Sequence, residues 1–389
     1  MIHSQLTQWN LDGKRVFVRA DLNVPLKDGE ILSDFRLNAI LPTLDYIIQH
    51  NGNIILATHI GRPEHPQPDL STQILIPWFK KRGYTILFAE NISTVAQYKV
   101  TPKQIILIEN LRFFPGEKSG DPFFAKQLAH NAHYYINDAF GDIHHSDCSI
   151  ALLPYEFPQN QRSIGFLIEK ELRILSSLKE NPQHPLIAIL GGGKIEDKIP
   201  LIRGLLNTVD IIMLCPALCF SFLQSLGQPI GKSLANSTMN RVCTEIMTQA
   251  HNKNIHILFP LDYQVATNTI DGQLSITPAI NFPENAIGIS IGPQTIQLFT
   301  DTINHAKTIF FNGAMGFEDR QQTRQSTYSI IRAMAHSTAT TIIAGGDSVN
   351  AAMHSGSASS ITHLSSGGGA ALAYLSCAVL PGLAAFEEN

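Results

Sequence analysis

The stretch LIAILGGGKIEDK, residues 186–198, decides how the rest of the chain is read. Leu186 to Leu190 form an unbroken apolar run without polar alternation, which is the pattern of a strand buried on both faces of a parallel sheet. Gly191, Gly192 and Gly193 follow at once, then Lys194 and Lys198 before a helical stretch. A glycine turn between strand and helix lets backbone N–H groups approach an anion closely, and the helix N-terminus adds partial positive charge. Lys194 adds a mobile full charge. The spacing is not GxxxxGK[ST], so a P-loop is not indicated.

Runs of the same kind recur at Val16–Val18, Ile54–Ala57, Thr85–Phe88, Ile105–Ile108, Tyr134–Ile136, Ile211–Leu214, Ile255–Leu258, Thr308–Phe311 and Thr340–Ile343. Helical stretches lie between many of them. In residues 36–49, Leu37, Ile40, Leu41, Leu44, Ile47 and Ile48 share one face at 3.6 spacing. Strand alternating with helix predicts an α/β fold with doubly wound parallel sheets of the Rossmann-like kind. In such sheets ligands collect beyond the carboxyl ends of the strands.

Length and charge narrow the reading further. The 389 residues exceed one ordinary core, so two domains are expected. A Pro/Gln/Asn-rich stretch at residues 154–162 reads as a linker, followed by a charged helix over 169–179 and a break at 181–185. The predicted division is a first domain over 1–165 and a second over 166–379, joined by a helix and hinge. Lys and Arg number 28 against 32 Asp and Glu, a net −4 that offers no general attraction for nucleic acid or an anionic membrane. Five scattered cysteines without CxxC pairs suit a reducing compartment, and no apolar run approaches the roughly 18 residues of a membrane span. The expectation is a cytoplasmic monomer that holds any anionic ligand locally.

Two more glycine turns lie in the second half. Thr340–Ile343 leads into AGGDSVN, with Gly345, Gly346, Asp347 and Ser348, and Ile361–Leu364 leads into SSGGGAA, with Gly367, Gly368 and Gly369. Asp347 suits either a Mg²⁺ carboxylate or a helix N-cap. In FFNGAMGFED, Glu318 could accept hydrogen bonds from ribose hydroxyls, while Asn312 and Gly313 equally fit a simple turn.

The strand ends of the first half collect cations and their partners. Val16–Val18 leads into RADLNVP with Arg19, Asp21 and Asn23; Ile54–Ala57 into THIGRP with His59 and Arg62; Ile105–Ile108 into ENLRFF with Arg112; and Arg36 precedes the amphipathic helix. Arginine forks match both carboxylate and phosphate. In NDAFGDIHHSDCS, His144, His145, Asp147 and Cys148 read better as an anion-binding loop than as a metal site, because adjacent side chains rarely converge on one ion.

From RADLNVP, THIGRP, ENLRFF and NDAFG through GFLIEKEL and GGGKIEDKI to NGAMG, GGDS, HLSSGGGA and LPG, the chain resembles phosphoglycerate kinase over nearly its full length and in the family's order. The resemblance implies a first domain that binds 3-phosphoglycerate or 1,3-bisphosphoglycerate, a second that binds MgATP or MgADP, hinge closure, and a final segment, 380–389, that packs back on the first domain. It implies substrate contacts from Asp21, Asn23, Arg36, His59, Arg62 and Arg112, with His145 at a substrate-arginine position. It implies nucleotide and magnesium contacts from Lys194, Glu318, Gly345, Gly346, Asp347 and Ser348, with Lys198 and Gly367–Gly369 close by. Arg36, Lys194 and Lys198 would face the phosphoryl group in transit.

The chain departs from the family pattern in places. His144-His145-Ser146-Asp147 stands where the family has His-Arg-Ala-His, CPALC where it has glycines and Met-Ala, and Ala314 where it has proline. Alternatives to an active kinase are a nucleotide-binding regulatory paralogue and a kinase for a related acid.

Overall fold

The computed structural model describes residues 2–98 and 104–387. The chain divides into two compact units, Met1–Ile174 with Val379–Asn389, and Leu175–Ala378. The division falls inside the helix Phe166–Glu180.

The first unit contains β1 (Arg15–Ala20), the small hairpin β2 (Leu26–Lys27) and β3 (Glu30–Ile31), then β4 (Asn53–Ala57), β5 (Thr85–Ala89), β6 (Gln104–Ile108), β7 (Tyr134–Asp138) and β8 (Arg162–Ile164). Six of these form a parallel sheet in the order β5-β6-β4-β1-β7-β8. Alternate residues leave opposite faces of a strand, so each run feeds two cores. Val16, Val18, Ile54, Leu56, Ile105 and Leu107 join Leu37, Ile40, Leu44 and Ile47 of the helix Phe35–Gln49 on one face. Phe17, Ile55, Ala57, Ile106 and Ile108 join Phe124, Leu128, Leu153 and Phe157 on the other.

Phe157 corrects the linker reading. The 154–162 stretch forms 3-10 turns that lead into β8, and its phenylalanine belongs to the core of this unit. On the amphipathic helix, Thr43 is buried while Leu41 and Ile48 are only half-buried. Its hydroxyl donates to Asp138 Oδ2 at 2.5 Å and accepts from Phe166 N at 3.1 Å. Asp138 Oδ1 in turn accepts from Ile168 N at 2.9 Å, so a strand end caps the helix Phe166–Glu180. The C-terminal segment lies on this unit, where Gly382 N donates to Ile143 O at 2.9 Å and Asn137 Nδ2 donates to Gly382 O at 3.0 Å. Residues 388 and 389 of the expected 380–389 segment lie outside the described residues.

The second unit contains β9 (Leu186–Leu190), β10 (Ile211–Leu214), β11 (His256–Leu258), β12 (Asp262–Thr267), β13 (Leu274–Pro278), β14 (Ala286–Ile291), β15 (Thr308–Asn312), β16 (Thr340–Ile343) and β17 (His363–Leu364). Its parallel sheet runs β11-β10-β9-β15-β16-β17. The chain starts at β9, moves outward to one edge, and returns to the other side of β9 before moving outward again. The strand order therefore reverses between β9 and β15, both fully buried, and that is where doubly wound sheets open a ligand crevice. A separate antiparallel sheet, β13-β12-β14, was not foreseen from the sequence. No helix among the described residues is long and apolar enough to cross a membrane, and the five cysteines are free thiols.

Candidate active site

In the first unit, adjacent strands β6, β4, β1 and β7 deliver their carboxyl-end loops side by side. Asp21 is buried, and its Oδ1 accepts from the Arg36 guanidinium at 2.9 Å. Arg36 also donates to Asn23 O at 2.9 Å, and Asn23 Oδ1 accepts from Gly61 N at 2.9 Å. The arginine is thus aimed by two backbone-anchored partners while its side chain remains 30% exposed. Burial pushes the Asp21 carboxyl up, against the opposing pull of Arg36.

His59 is buried, with Nδ1 3.3 Å from both Asp142 Oδ2 and the Arg19 guanidinium. Arg19 is wholly buried and donates to Asp142 Oδ2 at 3.0 Å, Ser149 Oγ at 2.8 Å and Ala20 O at 2.5 Å. Ser149 N and Oγ donate to the buried Glu117 carboxylate at 2.9 and 2.6 Å. Burial would raise the Asp142 carboxyl, yet His59 and Arg19 hold it well below the usual carboxylate range. This ionic network fixes the His59 ring and the loop after β7. Arg62 is exposed. Arg112 donates to Gly61 O and lies 3.9 Å from Asp147 Oδ2.

The loop after β7 packs His144 against His145, ring centroids 3.9 Å apart and planes tilted by 38°. Burial pushes the His145 imidazole below its ordinary value, and His144 opposes its charge further. Asp147 is buried, and its Oδ1 accepts from Lys118 Nζ at 2.9 Å. No group of three or more metal-ligating side chains occurs among the described residues.

In the second unit, the turns after β9, β15, β16 and β17 line one cavity of about 720 Å³. At the reversal of strand order, Gly191 N donates to Asn312 O at 2.9 Å. A Cβ on Gly313 would stand 2.2 Å from Gly191 O, and the φ of Gly313 is +103°. The two turns meet backbone to backbone, so neither glycine tolerates a side chain. Ser348 is buried, and its Oγ accepts from Gly313 N at 2.8 Å, tying the GGDS turn to the same point. Asn312 bridges the walls, donating to Ala344 O at 2.6 Å and accepting from Lys198 Nζ. Burial lowers the Lys198 ammonium to about 8, against the charges of Asp197 and Asp347.

Gly345, Gly346, Asp347, Ser348, Gly368 and Gly369 all line this cavity. Asp347 is exposed in the first turn of the helix Gly346–His354, whose N-cap is Gly345, so the N-cap reading of Asp347 is set aside. Gly367 is the N-cap of the helix Gly368–Leu375 and does not line the cavity. Lys194 is exposed and also lies off the lining, whereas Lys198 is on it. Glu318 is likewise off the lining, its Oε1 accepting from Tyr328 Oη at 2.6 Å and contacting His354 Nδ1 at 3.0 Å. The altered turn contributes Pro216 and Ala217, with Cys215 and Cys219 buried behind it.

Several lining residues escaped the sequence reading. Ile287, Gly288 and Ile289 come from β14 of the unforeseen sheet, and Ile270 and Phe317 complete an apolar wall, with Lys232 also on the lining. Asn312 had one usable signal, its position as the last residue of an otherwise apolar strand.

A family model described as phosphoglycerate kinase matches residues 6–378. Among curated relatives, the phosphoglycerate kinase of Clostridium botulinum (strain Alaska E43 / Type E3) is 37% identical, over 97% of this chain and 96% of that protein. The one from Finegoldia magna is 36% identical, over 99% of both. Among solved structures, phosphoglycerate kinase from Coxiella burnetii superposes with a TM-score of 0.87 at 30% identity, covering 99% of both chains. That from Pyrococcus horikoshii superposes at 0.84 and 26% identity, over 99% of this chain and 98% of that one. The chain belongs to the phosphoglycerate kinase family.

Proposed function

We propose that this chain is a phosphoglycerate kinase, moving a phosphoryl group reversibly between 1,3-bisphosphoglycerate with ADP and 3-phosphoglycerate with ATP in glycolysis. The observation that carries the nucleotide half is the meeting of the GGGK, NGAM, GGDS and SSGGG turns on one cavity at the strand-order reversal of the second unit, with Lys198 in its wall. An adenine fits the apolar wall of Ile270, Ile287, Ile289 and Phe317, and the phosphates fit the glycine turns and Lys198.

The acid belongs to the first unit. Arg36, aimed by Asp21 and Asn23, together with Arg112, His59, Arg62 and His145, supplies donors for a carboxylate and a phosphate. The acceptor in the ATP-consuming direction is a carboxylate that is already ionised, so no general base is required; alignment and charge neutralisation do the work. On the acid's unit Arg36 supplies the cation for phosphoryl oxygens, and on the nucleotide's unit Lys198 does, with Lys194 at the same turn as a further cation. Asp347, exposed at the cavity, is a single carboxylate donor, which fits a Mg²⁺ held mainly by the nucleotide and water. When bound, that ion neutralises phosphate charge. We further take the chain to act as a cytoplasmic monomer.

Calorimetric titration tests this division of labour. Arg36→Ala is expected to weaken 3-phosphoglycerate binding and leave MgATP binding intact, and Lys198→Ala to do the reverse. Loss of both ligands in both variants contradicts it.

A further inference from the structure

The loop after β7 carries an anion, Asp147, beside Arg112, a cation that the acid needs. Asp147 is held by its own backbone, since Ile150 N and Ala151 N both donate to its carbonyl at 2.9 Å, and its side chain is only 6% exposed. Its two oxygens are treated differently. Oδ1 accepts from Lys118 Nζ at 2.9 Å, whereas Oδ2 is 3.9 Å from Arg112, beyond hydrogen-bond range. Among the described residues, Oδ2, Arg112 Nε and His144 Nδ1 are buried without a hydrogen-bond partner. The groups around the carboxylate are Lys118, Arg112, His144 and His145, with Glu117 behind.

We propose that Lys118 and Asp147 form a positioning pair that sets how much of the Arg112 guanidinium is free to bind the anionic group of the acid. Lys118 engages the carboxylate from the solvent side, its own side chain 55% exposed, and so competes with Arg112 for it. A buried carboxylate without a partner is costly, so loss of Lys118 leaves Arg112 as the nearest cation and draws its fork onto Oδ2, away from the ligand. The pair matters because position 145 carries a histidine with little charge at neutral pH rather than a permanent cation. The proposal rests on the phosphoglycerate reading of this unit.

The test is the dissociation constant of 3-phosphoglycerate, read by calorimetry alongside that of MgATP, for the wild type, Lys118→Ala, Lys118→Arg, Asp147→Asn and the double variant Lys118→Ala/Asp147→Asn. Lys118→Ala is expected to weaken acid binding roughly tenfold with MgATP binding unchanged, and Lys118→Arg to restore most of it. Asp147→Asn is expected to tighten acid binding, and the double variant to match Asp147→Asn, because Lys118 then has no carboxylate to hold. Independent addition of the two effects, no effect of Lys118→Ala, or an equal shift in MgATP affinity overturns the proposal. If no form binds 3-phosphoglycerate, the pair and the acid-site reading fall together. The expected binding pattern without turnover sinks the kinase reading alone.

Discussion

Burial in the cavity wall lowers the Lys198 ammonium to about 8, while Asp197 and Asp347 pull it back toward its ordinary 10.5. Between those two values the unfolded chain binds the proton more tightly, so this group makes stability rise with pH and withdraws that contribution as pH falls through about 8. Under the proposed function the effect on activity runs the other way, because deprotonation removes the cation assigned to the nucleotide phosphates. The kcat/KM for MgATP is expected to fall as pH rises through about 8, and Lys198→Arg to abolish that fall; a profile that falls identically in both removes Lys198 from the role. His145 moves the acid site's dependence in a different window. Its value is lowered by burial from the ordinary 6.5, so half-protonation comes below that pH. The gain in 3-phosphoglycerate affinity from this group should therefore be larger below about pH 6.5 than above it. His145→Arg should tighten binding by about one to two powers of ten and flatten the pH profile. The residue types at these strand ends were legible in the sequence. Their partnerships were not, because Arg19 meets Asp142, and Arg112 meets Asp147, only after strands distant in the chain become neighbours.

At the level of elements, the parallel strands were readable because each is an apolar run buried on both faces, as in β4, β9 and β15. The β13-β12-β14 sheet escaped because β13 is a largely exposed strand with polar positions, and Ile276 within it is 51% exposed. That omission hid one wall of the cavity proposed to take the nucleotide. The turn contact between β9 and β15 predicts that Gly313→Ala, at φ +103° with its Cβ 2.2 Å from Gly191 O, forces the two turns apart. MgATP affinity should drop at least tenfold while 3-phosphoglycerate affinity is kept; unchanged nucleotide binding would show that the backbone contact is dispensable. The cap on the helix Phe166–Glu180 is a matter of stability. Asp138→Ala removes the acceptor for Ile168 N and Thr43 Oγ1, and should cost about 1–2 kcal/mol in urea unfolding, whereas a change under a few tenths would show that the cap contributes nothing.

For the whole molecule, the proposed division of labour rests on two doubly wound units of opposite character. One gathers arginines and histidines at its strand ends; the other gathers glycine turns around a cavity with the half-buried Lys198 in its wall. Each half alone could hold an anion, and only the pair of them describes a transfer between an acid and a nucleotide. The sequence showed both halves, because glycine turns and strand-end cations are local features. It could not show that Glu318 is engaged by Tyr328 and His354 away from the cavity, or that Lys198 rather than Lys194 enters its wall. The most direct measurement is turnover itself, with 3-phosphoglycerate and MgATP supplied together and the formation of 1,3-bisphosphoglycerate followed by a coupled assay. The wild type is expected to turn over and Arg36→Ala to lose at least two powers of ten in kcat. Wild-type turnover no greater than that of Arg36→Ala would contradict the assignment.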